Sequence, residues 1–374
     1  MIVPFIDLKA HNDMLNHKLQ DAAGEVLHSC DFILGQQVRF FEREFAQFCG
    51  SKFGVGLNSG TDALFLALLS LGIGAGDEVI CPVYTYIATA LCISYTGAKP
   101  VFVDIDQRSF NIDPEKIKRK ISKKTKAIIA VHLYGNPAPM PEILKIAKEH
   151  KLRVIEDAAQ AHGARIKDAR GNWQSVGTLG DIGCFSFYPT KNLSGCGDAG
   201  IALTNSKSIY KKLIILRDQG RAGKNRYAHH IKGYNSRLDS IQAALLRVKL
   251  PYLEKWNKAR QNLAHLYSKS LEQIPGVIVP YEQPNSQHVF HIYAIRLKKK
   301  RADVYNQLRK KNIHASIIYH LPLHLQGAYK ELRYKKGDFP GAERVCREIL
   351  CLPMYPQLTK EKLKFVVESL KELV

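Results

Sequence analysis

The sequence predicts an α/β fold: a mostly parallel seven-stranded sheet between helices, followed by a smaller C-terminal α+β domain. Two observations carry this. Residues 50 to 205 alternate short β-branched apolar runs with stretches of helical spacing, the pattern of a parallel sheet covered on both faces. Beyond them comes one long helical pattern, and then a segment that mixes strands and helices.

The seven runs are Phe53–Leu57, Glu78–Cys81, Pro100–Val103, Ala127–Val131, Leu152–Ile155, Gly183–Phe187 and Gly200–Leu203. Stretches between them, such as Met140 to Lys151, have helical periodicity. From Asp239 to Arg260 the apolar residues Ile241, Ala244, Leu245, Val248 and Leu253 predict a long helix, kinked at Pro251, that joins the two domains. The smaller domain is expected to hold a strand at Val289–Leu297 and another near Ile313–Tyr319. Its closing helix begins at Thr359 and carries Leu363, Val366, Val367 and Leu370. The expected division is 1–250 and 251–374, with the first ~25 residues packing on the smaller domain.

Composition narrows the class. The chain has 374 residues, 45% hydrophobic and 24% charged, which suits a globular protein with a large core. Met1 to Asp7 lacks the basic start of a signal peptide, and the longest apolar run, Ala63 to Leu71, is too short to span a bilayer. A soluble, cytoplasmic protein without a membrane partner is therefore expected. The eight cysteines form no CxxC pair and show no ligand spacing with histidine, so neither disulfides nor a metal site is expected.

The formal charge of +21 invites a nucleic-acid reading. Its clusters, at Lys116 to Lys126 and Lys298 to Arg301, carry no interleaved aromatics, and no helix-turn-helix or zinc finger accompanies them. A diffusely basic surface that attracts anionic small molecules is the expectation, with no nucleic-acid partner.

In parallel sheets ligands gather at the carboxyl ends of the strands, and four motifs fall there. Asn58-Ser59-Gly60-Thr61-Asp62 leads from a strand into an apolar helix, so its amides are placed to hold a phosphate; Ser59 and Thr61 are equally ordinary helix-capping residue types. Glu156-Asp157 closes another strand. A carboxylate there can keep a pyridinium nitrogen protonated, or simply cap the next helix. Tyr84 and Tyr86 lie just past a strand end, where an aromatic can stack on a flat ring or pack in the core. Lys191, in Phe185-Ser186-Phe187-Tyr188-Pro189-Thr190-Lys191-Asn192-Leu193, can form a Schiff base with an aldehyde, or be one more solvated lysine. A phosphate cradle, an acid, an aromatic and a lysine fit one cofactor, pyridoxal phosphate, better than four coincidences.

The order and wording of these segments resemble the DegT/DnrJ/EryC1/StrS sugar aminotransferases, which are fold-type-I pyridoxal-phosphate enzymes. The likeness covers almost the whole chain, from Pro4-Phe5-Ile6-Asp7-Leu8 through Gly233-Tyr234-Asn235-Ser236-Arg237 to Pro322-Leu323-His324. It implies that Lys191 carries the cofactor as an imine and that Asp157 faces the pyridine nitrogen. Gln160 would lie near the 3-hydroxyl, with Gly60, Thr61 and Ser186 cradling the phosphate and Tyr86 stacking on the ring. Asn235 matches a residue that reaches the phosphate from the partner subunit, which implies a homodimer with shared active sites. His162 and Arg237 match family positions without an assigned role.

Within the family, the lysine segment followed by Gly197-Asp198-Ala199-Gly200 is similar to the branch that aminates C3 of a nucleotide-linked 3-keto-6-deoxy sugar, dTDP- or UDP-linked. Substrate candidates are Tyr188, Tyr227, His229, Tyr319, His320 and His324. Where the family often has histidine before tyrosine, this chain has Ile318, so a hydrogen bond made there is absent or moved to His320. The implied reaction is ping-pong transamination with glutamate as donor and Lys191 as the group that moves the proton. Competing readings are a C4 aminotransferase on a dTDP-4-keto or UDP-N-acetyl sugar and a non-catalytic regulator; retention of Lys191 and Asp157 weighs against the latter.

Overall fold

The computed structural model describes every residue except Lys224, Arg226 and Lys299. Its main sheet contains the seven expected strands: β1 (Phe53–Leu57), β2 (Glu78–Pro82), β3 (Lys99–Val103), β4 (Thr125–Val131), β5 (Arg153–Asp157), β6 (Ile182–Ser186) and β7 (Gly200–Thr204). They lie side by side in the order β1-β7-β6-β5-β4-β2-β3. Only β7 runs against its neighbours; every other pairing in the sheet is parallel. The carboxyl ends of the remaining six strands therefore share one edge, which receives the site.

Both faces of the sheet are buried, so its strands are apolar through their middles rather than alternating with polar residues, and polar residues fall at their ends. Ala127, Ile129 and Val131 of β4 face one apolar cluster while Ile128 and Ala130 face the other. The second cluster includes a knot of aromatic rings. Phe45 meets Phe185 edge-on with centroids 5.1 Å apart and Phe187 at 5.2 Å. Each of these fully buried phenylalanines contributes about 1.5–3 kcal/mol by leaving water. Phe185 and Phe187 flank Ser186, so this packing fixes the strand end that leads to Lys191.

The long helical pattern after Asp239 resolves into Ser240–Lys249 and Leu253–Leu271, joined by a 3-10 turn, Leu250–Tyr252. Pro251 accounts for the break, since it can donate no backbone hydrogen bond. The expected boundary at 250/251 falls within this turn.

The C-terminal part forms a three-stranded antiparallel sheet, with β9 (Tyr293–Leu297) between β8 (Val277–Ile278) and β10 (Ile349–Leu352). Its helices include Arg301–Lys310 and the closing helix Lys360–Leu373, capped by the Thr359 hydroxyl. Two expectations need correction. The strand predicted from Val289 starts only at Tyr293, because Val289 and Ile292 give their amides to the carbonyls of Gly135 and Tyr134. Ile313–Tyr319 is not a strand; only Ile313 and Ser316 make isolated bridges, to Val3 and Cys351. Val3 is buried with Leu263, Ile295, Ile313 and Leu350 of the C-terminal part, whereas helix Asn16–Ser29 lies against Ser240–Lys249. Among the described residues no helix is long and apolar enough to cross a membrane, and no cluster of metal-ligating side chains occurs.

Candidate active site

A cavity of about 470 Å³ opens at the carboxyl edge of the sheet. It brings together Gly60, Thr61, Tyr86, Asp157, Gln160, Ser186 and Lys191, all seven of the cofactor residues expected within one chain. Tyr188, Asp198, His291, Ile318 and Tyr319 also line it.

One end is built for an anion. Helix Gly60–Ser70 starts there, with Ser59 as its cap: the Ser59 hydroxyl accepts from the Asp62 amide at 3.1 Å. Its first amides thus face the cavity with the positive end of the helix dipole. Two glycines make the close approach possible. A Cβ on Gly60 would lie 2.6 Å from that of Ser186, and one on Gly200 would lie 2.3 Å from the Ser59 carbonyl carbon. The hydroxyls of Thr61 and Ser186 complete a cradle for phosphate.

Asp157 forms another wall. Strand alternation sends it toward the cavity and sends Glu156 to the opposite face. Its Oδ2 accepts from Thr89 Oγ1 at 2.8 Å and its Oδ1 from the Ala159 amide at 3.2 Å. Burial raises its pKa, opposed by these two donors and by the Lys191 charge. A cationic ring nitrogen is the partner such a desolvated carboxylate requires.

Glu156 is tied down completely. It accepts from the amides of Gly177, Leu179 and Gly180 at 2.7–2.8 Å and from His132 Nε2 at 3.0 Å. His132 Nδ1 accepts from the Ala138 amide, so the ring proton sits on Nε2. This acid anchors the loop before β6 and takes no part in the cavity.

Lys191 sits half-buried in the turn after β6, its amide bonded to the Tyr188 carbonyl at 2.9 Å. Burial pulls the pKa of its amine down to about 8, against the attraction of Asp157. An amine that is partly neutral near physiological pH is a competent nucleophile and proton carrier.

Gln160 accepts from the Tyr134 amide at 2.7 Å and donates to the Tyr319 hydroxyl at 3.2 Å, which leaves its second N–H for a ligand oxygen. Tyr86 is 57% exposed at the mouth, its ring 6.1 Å from that of Tyr319, with open space for a flat ligand to cover. A phosphate cradle, a polar amide, an acid and a low-pKa lysine converge on one cavity, so these residues fit pyridoxal phosphate.

A sequence profile described as the DegT/DnrJ/EryC1/StrS aminotransferase family matches residues 13–371. The chain belongs to that family. Its cofactor is pyridoxal 5′-phosphate, and it is an enzyme of the transferase class. A Geobacillus stearothermophilus "pleiotropic regulatory protein" is 44% identical over 100% of this chain and 98% of its own. The Acidithiobacillus ferrooxidans UDP-N-acetyl-3-dehydro-α-D-glucosamine 3-aminotransferase is 43% identical over 96% of this chain and 95% of its own. Among solved structures, Streptomyces venezuelae DesV, in complex with a ketimine intermediate, superposes with a TM-score of 0.95 at 40% identity, covering 100% of this chain and 98% of its own.

Not every expected residue of this aminotransferase reaches the cavity. His324 is buried elsewhere, its Nε2 3.1 Å from Glu343 and its ring packed on Phe339. That places it as a structural residue rather than a substrate contact. Ile318 forms part of the cavity wall and has no polar atom in its side chain to bond a substrate. His320 is exposed and does not line the cavity of its own chain. Asn235, Tyr227 and His229 are exposed on this chain and outside its cavity; Tyr227 is 90% exposed and His229 Nδ1 is bonded to the Gln219 carbonyl at 2.8 Å. Arg237 is committed to Asp218 at 3.1 Å. Sequence reasoning missed Thr89, Tyr134 and His291. Thr89 ends the segment Cys81–Thr89, in which only the tyrosines stood out; Tyr134 meets Gln160 and His291 lines the cavity from distant segments.

Proposed function

We propose that this aminotransferase moves an amino group from an amino acid, glutamate, to the C3 keto group of a nucleotide-linked deoxy sugar, dTDP- or UDP-linked. The observation that carries the chemistry is the shared cavity of Lys191 and Asp157 beside a phosphate cradle. What supports C3 is the lysine segment with Gly197-Asp198-Ala199-Gly200, together with a relative whose name specifies 3-amination.

Each residue then has a task. Lys191, as the neutral amine, would hold the cofactor and, when its amine is free, would carry a proton to and from the substrate carbon. Asp157 holds the ring nitrogen's proton by charge. Gln160 donates to the ring hydroxyl while Tyr319 keeps its amide oriented. Gly60, Thr61 and Ser186 bind the phosphate, and Tyr86 covers one ring face, excluding water. The cofactor supplies the electron sink for the charge left on carbon when the proton departs. Tyr188 and Tyr319 offer phenols to sugar hydroxyls, and the basic surface suits a nucleoside diphosphate.

Asn235, Tyr227 and His229 have no access to their own chain's cavity. In this reading they serve the cavity of a second copy, so the working form is a homodimer in the cytoplasm. The regulatory name of the Geobacillus relative raises a non-catalytic alternative. An intact lysine, acid and phosphate cradle in one cavity favours catalysis.

The test offers the purified protein glutamate with 3-keto and 4-keto nucleotide sugars separately. Amination of the 3-keto compound is expected; amination of the 4-keto compound alone overturns the assignment.

A further inference from the structure

Three side chains next to Lys191, those of Asn192, Asn257 and His291, form a chain of hydrogen bonds whose direction is fixed by two backbone carbonyls. Asn192 Nδ2 lies 3.2 Å from the Val289 carbonyl, which can only accept, so that atom is the amide nitrogen. The same nitrogen donates to Asn257 Oδ1 at 2.9 Å, and Asn257 Nδ2 donates in turn to the His162 carbonyl at 2.8 Å. Asn192 Oδ1 therefore faces His291 Nδ1, 3.1 Å away, and His291 must carry its proton on Nδ1. Its Nε2 is left with a lone pair.

His291 is 5% exposed and lines the same cavity as Lys191. The charged and titratable groups around it are Lys191, Arg260, His162 and His288; burial first, then these neighbours, hold its pKa well below the ordinary value. It is thus a neutral acceptor at working pH, too weakly basic to serve as a general base. The fold keeps it there: Gly135, at φ +91°, has no Cβ to meet Val289 at 2.7 Å or the His291 amide at 3.2 Å.

We propose that His291 is a positioning residue for Lys191: its Nε2 accepts a hydrogen bond from the lysine's amine whenever that amine is not attached to the cofactor. Asn192, next in sequence to Lys191, holds the imidazole in the required tautomer. The displaced amine then has a fixed resting place from which to deliver its proton, instead of swinging freely in the cavity.

The inference rests on Lys191 being the cofactor's lysine, and its test is read independently of turnover. Competitive acetylation of the cofactor-free protein, followed by mass spectrometry across pH, gives the apparent pKa of Lys191. An accepting partner stabilises the ammonium, so its loss lowers that pKa. His291→Asn keeps an N–H for Asn192 and removes the Nε2 acceptor, and is expected to move the midpoint down by about 0.5–1 unit. His291→Gln extends an amide oxygen to the Nε2 position and is expected to restore it. Both are small polar replacements, and each is checked for an unchanged circular dichroism spectrum. A midpoint in His291→Asn equal to that of the wild type, or a fall in His291→Gln as large as in His291→Asn, overturns the proposal. Whether Lys191 binds cofactor is read separately by reductive trapping, so failure of one is not failure of the other.

Discussion

Thr89 donates its hydroxyl to Asp157 Oδ2 at 2.8 Å, and both side chains are buried. The threonine stands on helix Ala88–Tyr95 and the aspartate at the end of β5, 68 positions apart. This bond opposes the effect of burial, which favours the protonated acid. Replacing Thr89 with Val removes it at nearly constant volume, so the Asp157 pKa rises further. The anionic form needed in catalysis is then lost at a higher pH. The acid limb of the rate profile should move up, and turnover should fall about tenfold, the weight of one hydrogen bond to a charged group. A profile that overlays the wild type contradicts the role given to Thr89.

Lys191 has its amine pKa pulled down to about 8 by burial, from an ordinary 10.5. Only the neutral amine attacks an aldehyde, so the rate at which cofactor-free protein takes up pyridoxal phosphate should climb through pH 8 and level off above it. Stability has the same sign. Between about pH 8 and 10.5 the unfolded chain binds more protons at this site than the folded one, so the Lys191 contribution favours folding increasingly as pH rises. Stopped-flow absorbance checks the first statement, and denaturant midpoints, compared between the wild type and Lys191→Met, check the second.

Glu156 accepts three backbone amides and a histidine N–H in the fully buried layer beneath the site. Truncation to Ala leaves all four donors unpaired, at a cost of about 3–5 kcal/mol in unfolding free energy. Chemical denaturation measures this. At saturating cofactor the folded variant should keep the visible absorbance, because Glu156 faces away from the cavity.

A homodimer with shared sites makes a complementation prediction. Lys191→Ala and Asn235→Asp are each expected to be nearly inactive. A hybrid of the two has one native site, built from one chain's Lys191 and its partner's Asn235. Random mixing gives half hybrids, and therefore about a quarter of wild-type activity. Mixing, unfolding and refolding the two variants measures it; no recovery contradicts the shared-site reading.

Much of this was legible in the sequence because strands buried on both faces are apolar through their middles, which makes each one visible as a run. All seven strands of the main sheet carry that mark. Site residues were visible where a motif sat at a strand end, as with Gly60, Asp157 and Lys191. Legibility failed where tertiary partners decide. Val289–Ile292 reads as strand but spends its amides on Tyr134 and Gly135. His324 reads as a site residue but is buried beside Glu343 and Phe339. Thr89 lies in the segment that carries Tyr84 and Tyr86 but gave no sign of its own role, and His291 gave none, since each acts through a neighbour that only the fold supplies.

Every residue role given above depends on a covalent bond between pyridoxal phosphate and the side chain of Lys191. Borohydride reduction of the cofactor-saturated protein, followed by peptide mass spectrometry, tests it directly. A pyridoxyl phosphate adduct on the peptide containing Lys191 is expected. An adduct on another lysine, or none, contradicts it.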